Sequence, residues 1–162
     1  MKTPLVVLSL LAAGALTIKL WTGGHGDGAD RSVSDPRLIF NRIWVDRLPR
    51  TERDTINAFA VVTRQARGIF QTTSRWKGAY ELFQYEAAGE ELRMVFPQTG
   101  DRERVRARAW SCNEGEMDYC LELTGASRGV KRYVSQKRWE IRASADPGQV
   151  RSSLEAIVAG AN

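Results

Sequence analysis

From residue 38 onward, apolar and polar side chains alternate with a period of two, the signature of half-buried strands. The alternation predicts strands near 38–47, 55–64, 68–76, 79–86, 91–96, 103–112, 118–124 and 130–142. Turn-forming residues separate them at Leu48-Pro49-Arg50, Lys77-Gly78, Ala88-Gly89, Pro97 to Asp101 and Asn113-Glu114-Gly115. Connections this short join antiparallel neighbours, so the chain reads as a meander. The last segment also allows two shorter strands turning at Ser135-Gln136-Lys137.

Beyond the strands the period changes. Asp146-Pro147 supplies an N-cap and a first-turn proline, and Val150, Leu154, Ile157 and Val158 form one apolar helical stripe that Gly160 ends. About eight meander strands and one C-terminal helix predict an all-β fold closed, or nearly closed, into a barrel. Closure removes the two exposed edges of an open sheet. An open sheet curled over the helix and a two-sheet sandwich are the alternatives.

The first thirty residues differ in kind. Lys2 precedes an unbroken apolar run from Leu5 to Leu16, and Ala13 and Ala15 fit an A-x-A cleavage site. The run is short of the roughly 20 residues a spanning helix needs. Residues 1–21 therefore read as a signal peptide or, uncleaved, as an anchor with Lys19 and Trp21 at the interface. A buried N-terminal helix is the third reading. Residues 22–36 read as a Gly-rich linker and 37–162 as a single domain. The first two readings place the domain outside the cytoplasm, periplasmic or secreted. Membrane contact is then expected only through an uncleaved N-terminal segment. The two cysteines, Cys112 and Cys120, are expected to pair in such a compartment.

Charge enters next. The chain carries 24 basic and 19 acidic residues, and 19 of the basic ones are arginine. Residues 1–30 are neutral, so the whole +5 belongs to the rest. Arg102, Arg104, Arg106 and Arg108 share one face of one strand, opposite Val105, Ala107 and Ala109. If Cys112 faces Cys120, then Trp110 faces Glu122 and Arg108 faces Thr124, while Ala109 meets Leu123 and Ser111 meets Leu121. Charged residues then share one face and apolar residues the other, which turns the arginines toward solvent. Such a row suits an anionic envelope component or a protein partner. Nucleic acid is not expected outside the cytoplasm.

The aromatic residues offer a second candidate site. Phe70, Thr72, Ser74, Trp76, Tyr80, Phe83, Tyr85, Tyr133 and Trp139 lie along the predicted strands. They serve either as core or as the lining of a cavity for a small apolar or amphipathic ligand, with Thr72, Ser74 and Tyr85 orienting its polar group.

Three fragments resemble the lipocalins in the broad calycin sense. Arg42-Ile43-Trp44 stands where that family has Gly-x-Trp, and Met117-Asp118-Tyr119 where it has Thr-Asp-Tyr. Arg128, after Leu123-Thr124-Gly125, stands for the late Gly-Arg element. The resemblance implies a barrel that binds a small hydrophobic molecule without catalysis. It also implies that Trp44 and Arg128 close the barrel base.

Catalytic options are few. His25, the single histidine, lies in the Gly-rich linker, so the domain offers no Ser–His or Cys–His pair. Glu81, Glu86, Glu90, Glu91 and Glu103 show no spacing that singles out a carboxylate pair. No cofactor or metal site is expected, and the reading leans away from an enzyme.

Overall fold

The computed structural model describes residues 33–51, 53–74 and 77–159. The leader, His25 and Trp76 lie outside the described residues. Eight strands run as β1 (Arg42–Val45), β2 (Ile56–Val62), β3 (Arg67–Thr73), β4 (Gly78–Ala88), β5 (Glu91–Val95), β6 (Arg102–Glu114), β7 (Met117–Thr124) and β8 (Arg132–Ser135). They form one closed antiparallel barrel in chain order, followed by helix α1 (Pro147–Ala159). The all-β barrel with a single C-terminal helix is the fold that the alternation predicts.

The two end strands are shorter than predicted. Pro36 fixes its own backbone angle, and the Asp35 carboxylate accepts the Arg37 N–H at 3.0 Å. The chain therefore opens with a 3₁₀ turn over Pro36–Ile39. Asn41, at φ 54°, then redirects the chain into β1. At the other end β8 stops at Ser135, and a second 3₁₀ turn over Lys137–Trp139 replaces the end of the predicted strand.

Short end strands leave a thin closing seam. β1 and β8 share one ladder pair, Val45 with Val134. Side chains reinforce it: the Ser135 hydroxyl donates to the Ile43 carbonyl at 2.7 Å. Buried Arg42 donates to the Gln136 carbonyl and to Glu140, each at 2.6 Å. Its guanidinium also lies 4.3 Å from the centre of the Tyr119 ring.

The interior is filled with side chains. Trp44, Phe59, Phe70, Phe83, Phe96 and Tyr133 are buried together with Leu92, Met94, Val105, Leu121 and Leu123. Ring centres sit 5.1 Å apart for Phe59 and Phe70, and 5.3 Å for Phe70 and Phe83. Gly68 makes room for this packing, since a Cβ there would lie 2.1 Å from the tip of the Phe83 ring. The 3₁₀ turn at Pro36–Ile39 covers one end, where the Trp44 indole N–H donates to the Ile39 carbonyl at 3.2 Å.

Two further apolar clusters lie outside the barrel, against α1. Ile43, Val45, Ile56 and Ala58 meet Trp139 and Leu154 in one, and Ala60, Val62 and Ile69 meet Ala145 and Val150 in the other. The Asp146 side chain accepts the Gln149 N–H at 2.8 Å and holds the start of the helix.

Candidate functional site

The bare wall of the barrel, away from α1, carries the arginines. In β6 the inward residues Val105, Ala107 and Ala109 are fully buried, and Arg102, Arg104 and Arg106 between them are exposed. The outward direction expected from the sequence is the one observed, but the register is not. Trp110, not Cys112, lies opposite Cys120, and Arg108 lies opposite Glu122. Arg106 pairs with Thr124, Ala109 with Leu121, and Ser111 with Tyr119. The shift is two residues, so each side chain keeps its face. Cys112 still bonds to Cys120, because the ladder is irregular between Ser111 and Glu114 and brings the two Cα atoms to 5.7 Å.

Across β3 to β6 the ladder sets outward residues in rows. Arg67, Gln84, Val95 and Arg102 form one row, and Glu86, Arg93 and Arg104 the next. These seven residues line a surface groove of about 740 Å³, together with the β2–β3 turn at Gln65 and Ala66. Val95 is exposed on its floor. One Glu91 oxygen serves two guanidiniums, Arg93 Nε at 2.9 Å and Arg104 Nε at 3.6 Å. Arg67 and Arg102 make no ion pair among the described residues. Further along β6, Glu90 takes Arg106 at 2.9 Å and Arg108 at 3.8 Å.

One barrel end holds a second polar group. Arg128, from the β7–β8 loop, bonds Glu81 at 2.8 Å, Asp101 at 2.6 Å and also Glu103. Its guanidinium stacks 3.7 Å from the centre of the Phe96 ring. Hydrogen bonding to Glu81, and then to Asp101 and Glu103, raises its affinity for its proton. The Arg128 hydrogen bond holds the Asp101 carboxyl below the usual range. Burial works against charge on Glu103, but the Ser127 hydroxyl and N–H and the Arg128 guanidinium outweigh it, and its pKa is lowered. This group sits at the end made by the β5–β6 and β7–β8 connections. That is opposite the 3₁₀ turn under Trp44, so Trp44 and Arg128 do not close the same end.

The predicted ligand-lining residues separate. Phe70, Phe83, Tyr85 and Tyr133 point into the barrel and belong to its packed interior. Burial pushes the Tyr85 and Tyr133 hydroxyls up to about 12. Tyr85 donates to the Val62 carbonyl at 3.2 Å, and the Tyr133 hydroxyl accepts the Val130 N–H at 3.0 Å. Thr72 is exposed and donates to Asn57 at 3.0 Å, and Ser74 lies in the β3–β4 turn beside Lys77. Tyr80 faces outward and is 57% exposed. Trp139 packs outside the barrel, under α1.

The sequence reading missed Arg67, Glu86 and Arg93 as parts of the groove. Their alternation marks them as outward, but only strand pairing makes them neighbours of Arg102 and Arg104. Among the described residues no helix is long and apolar enough to cross a membrane. No family model matches the chain, and no curated protein or solved structure matches it.

Proposed function

We propose that the protein is a non-catalytic, extracytoplasmic β-barrel that works from its outer wall, engaging an anionic envelope component with the arginines of β3, β5 and β6. The observation that carries this reading is the groove of about 740 Å³ lined by Arg67, Arg93, Arg102 and Arg104. Guanidinium forks match anionic oxygens, and here several of their N–H edges have no partner among the described residues. The disulfide is compatible with an oxidising compartment. A wall with a charged residue at every second position is unsuited to lipid tails, so the barrel itself is read as water-facing.

The lipocalin-like alternative places a small hydrophobic ligand inside the barrel. The closed eight-strand antiparallel topology is compatible with it. A ligand there would have to displace the packed rings of Phe59, Phe70, Phe83 and Phe96. The outer wall asks for no such rearrangement, and for that reason it is preferred.

Sedimentation of the purified protein with vesicles tests the proposal. Binding to anionic vesicles at low salt, none to neutral ones, and loss of binding at about 0.5 M salt are expected. Binding that ignores both lipid charge and salt overturns the outer-wall reading. Saturable uptake of an apolar fluorophore with no anion binding would favour the interior instead.

A further inference from the structure

The four arginines of β6 are not equivalent. Arg106 and Arg108 both lie within ion-pair distance of Glu90. In the other direction, Asp101 precedes Arg102 in the chain and belongs to the carboxylate group around Arg128. The free positive charge is therefore bounded at both ends of the strand. It is widest across the strands, where Arg67, Arg93, Arg102 and Arg104 share the groove.

Within the groove the charges leave a surplus. Glu86 lines it, and Glu91 touches Arg93 and Arg104 through a single oxygen. Glu103, whose backbone strand also borders the groove, turns its carboxylate inward to Arg128. Among the described residues, four guanidiniums against these two carboxylates leave two positive charges unmatched. Arg93 and Arg104 are direct cross-strand partners, an arrangement that is unfavourable for like charges unless an anion lies between them. Glu91 supplies one such anion, and its nearest approach to each is at the Nε atom. Beside the cations, exposed Val95 and neutral Gln84 form a patch without charge. The groove volume falls within the range typical of sites for small molecules, roughly 300–1,000 Å³.

Resting on the outer-wall reading above, we infer that this groove takes a compact dianion, a phosphomonoester, whose organic part lies on Val95 and Gln84. A long polyanion laid along β6 would pass from free arginines to Arg106 and Arg108, which Glu90 and the cross-strand Glu122 offset, and, at the other end, to carboxylates. A phosphomonoester meets the surplus charge where it is concentrated. Its terminal oxygens suit the outward N–H edges of Arg93, Arg102 and Arg104.

Calorimetric titration of the purified protein with octyl phosphate tests this, with octyl sulfate as the monoanion of like shape and long-chain polyphosphate as the polyanion. Octyl phosphate is expected to bind more tightly than octyl sulfate. Arg102→Gln and Arg104→Gln should each weaken it by about tenfold or more, while the double variant Arg106→Gln/Arg108→Gln should leave it within about twofold. All these side chains are at least partly exposed, and an unchanged circular-dichroism spectrum confirms that the barrel is intact. Inorganic phosphate separates the sources of the dianion. The ester should bind more tightly through Val95, and equal affinity overturns that contact. Tight polyphosphate binding to which all four β6 arginines contribute equally overturns the compact site but keeps the anionic face. If the unaltered protein binds no anion, both fall.

Discussion

The two walls of the barrel are built from the same alternating backbone and yet read differently. On the wall of β1 to β3, outward positions include Ile43, Val45, Ile56, Ala58, Ala60, Val62 and Ile69, and α1 with its approach segment covers these, while Arg67 at the edge of β3 stays exposed. On the wall of β4 to β7, outward positions include Glu86, Arg93, Arg104, Arg106 and Glu122, and water covers them. Between the polar groups near the two barrel ends, the inward side chains are apolar on both walls. The contrast shows that the outer surface, not the interior, divides the molecule: one half is covered by the helix and the other is open to solvent.

Placing a charge on the covered wall should break the comparison most severely. Ala60→Arg puts a guanidinium among Val62, Ile69 and Val150 with no partner, and should cost more than about 4 kcal/mol. Loss of the cooperative urea transition would show it. Leu154 is 1% exposed, and Leu154→Ala should cost about 3 kcal/mol by leaving a cavity between helix and barrel. A proteolysis assay should then find α1 cut first while the strands persist.

The bare wall relies on smaller devices. Replacing Cys112 and Cys120 by serine should cost about 2.5 kcal/mol by chain-entropy reasoning, read as a lower urea midpoint that reducing agent no longer alters. Arg128→Met should cost about 2 kcal/mol near neutral pH, because it leaves Glu81 and Glu103 facing each other without their shared cation. Acid sharpens that result. Asp101 and Glu103 have lowered folded pKa values, so their contribution is present above the ordinary carboxylate range. It is lost as pH falls through the lowered values. As pH falls below about 5 and on through the lowered values, the unaltered protein should lose stability steeply, and Arg128→Met should lose less. The smallest effect is expected at Arg104, which is 71% exposed. Arg104→Ala should shift stability by no more than about 0.5 kcal/mol, while weakening anion binding by about tenfold or more.

The covered wall was the harder one to read in advance. β2, Ile-Asn-Ala-Phe-Ala-Val-Val, is nearly continuous in apolar residues, so its period shows a strand but hides which face meets the helix. β6 alternates cleanly, and its faces were legible at once. Trp139 sits at strand spacing in the sequence yet lies under α1, because the chain leaves the sheet after Ser135. The groove was half legible: Arg102 and Arg104 stand in one row of the sequence, whereas Arg67 and Arg93 join them only through two further strand pairings.

The sequence by itself determined the period-two strands, the short connections that make a meander, and the helix that begins at Asp146-Pro147. It also determined the outward direction of the arginine row and the only available cysteine pair. These follow from local sterics and from burial, which act on neighbouring residues. Tertiary structure alone decided the two-residue register shift at the disulfide, the packing of the aromatic rings, and the capture of Arg106 and Arg108 by Glu90. The physical reason is closure. Once eight strands form a ring, each pairing constrains the next, and groups far apart in the chain settle which charges stay free.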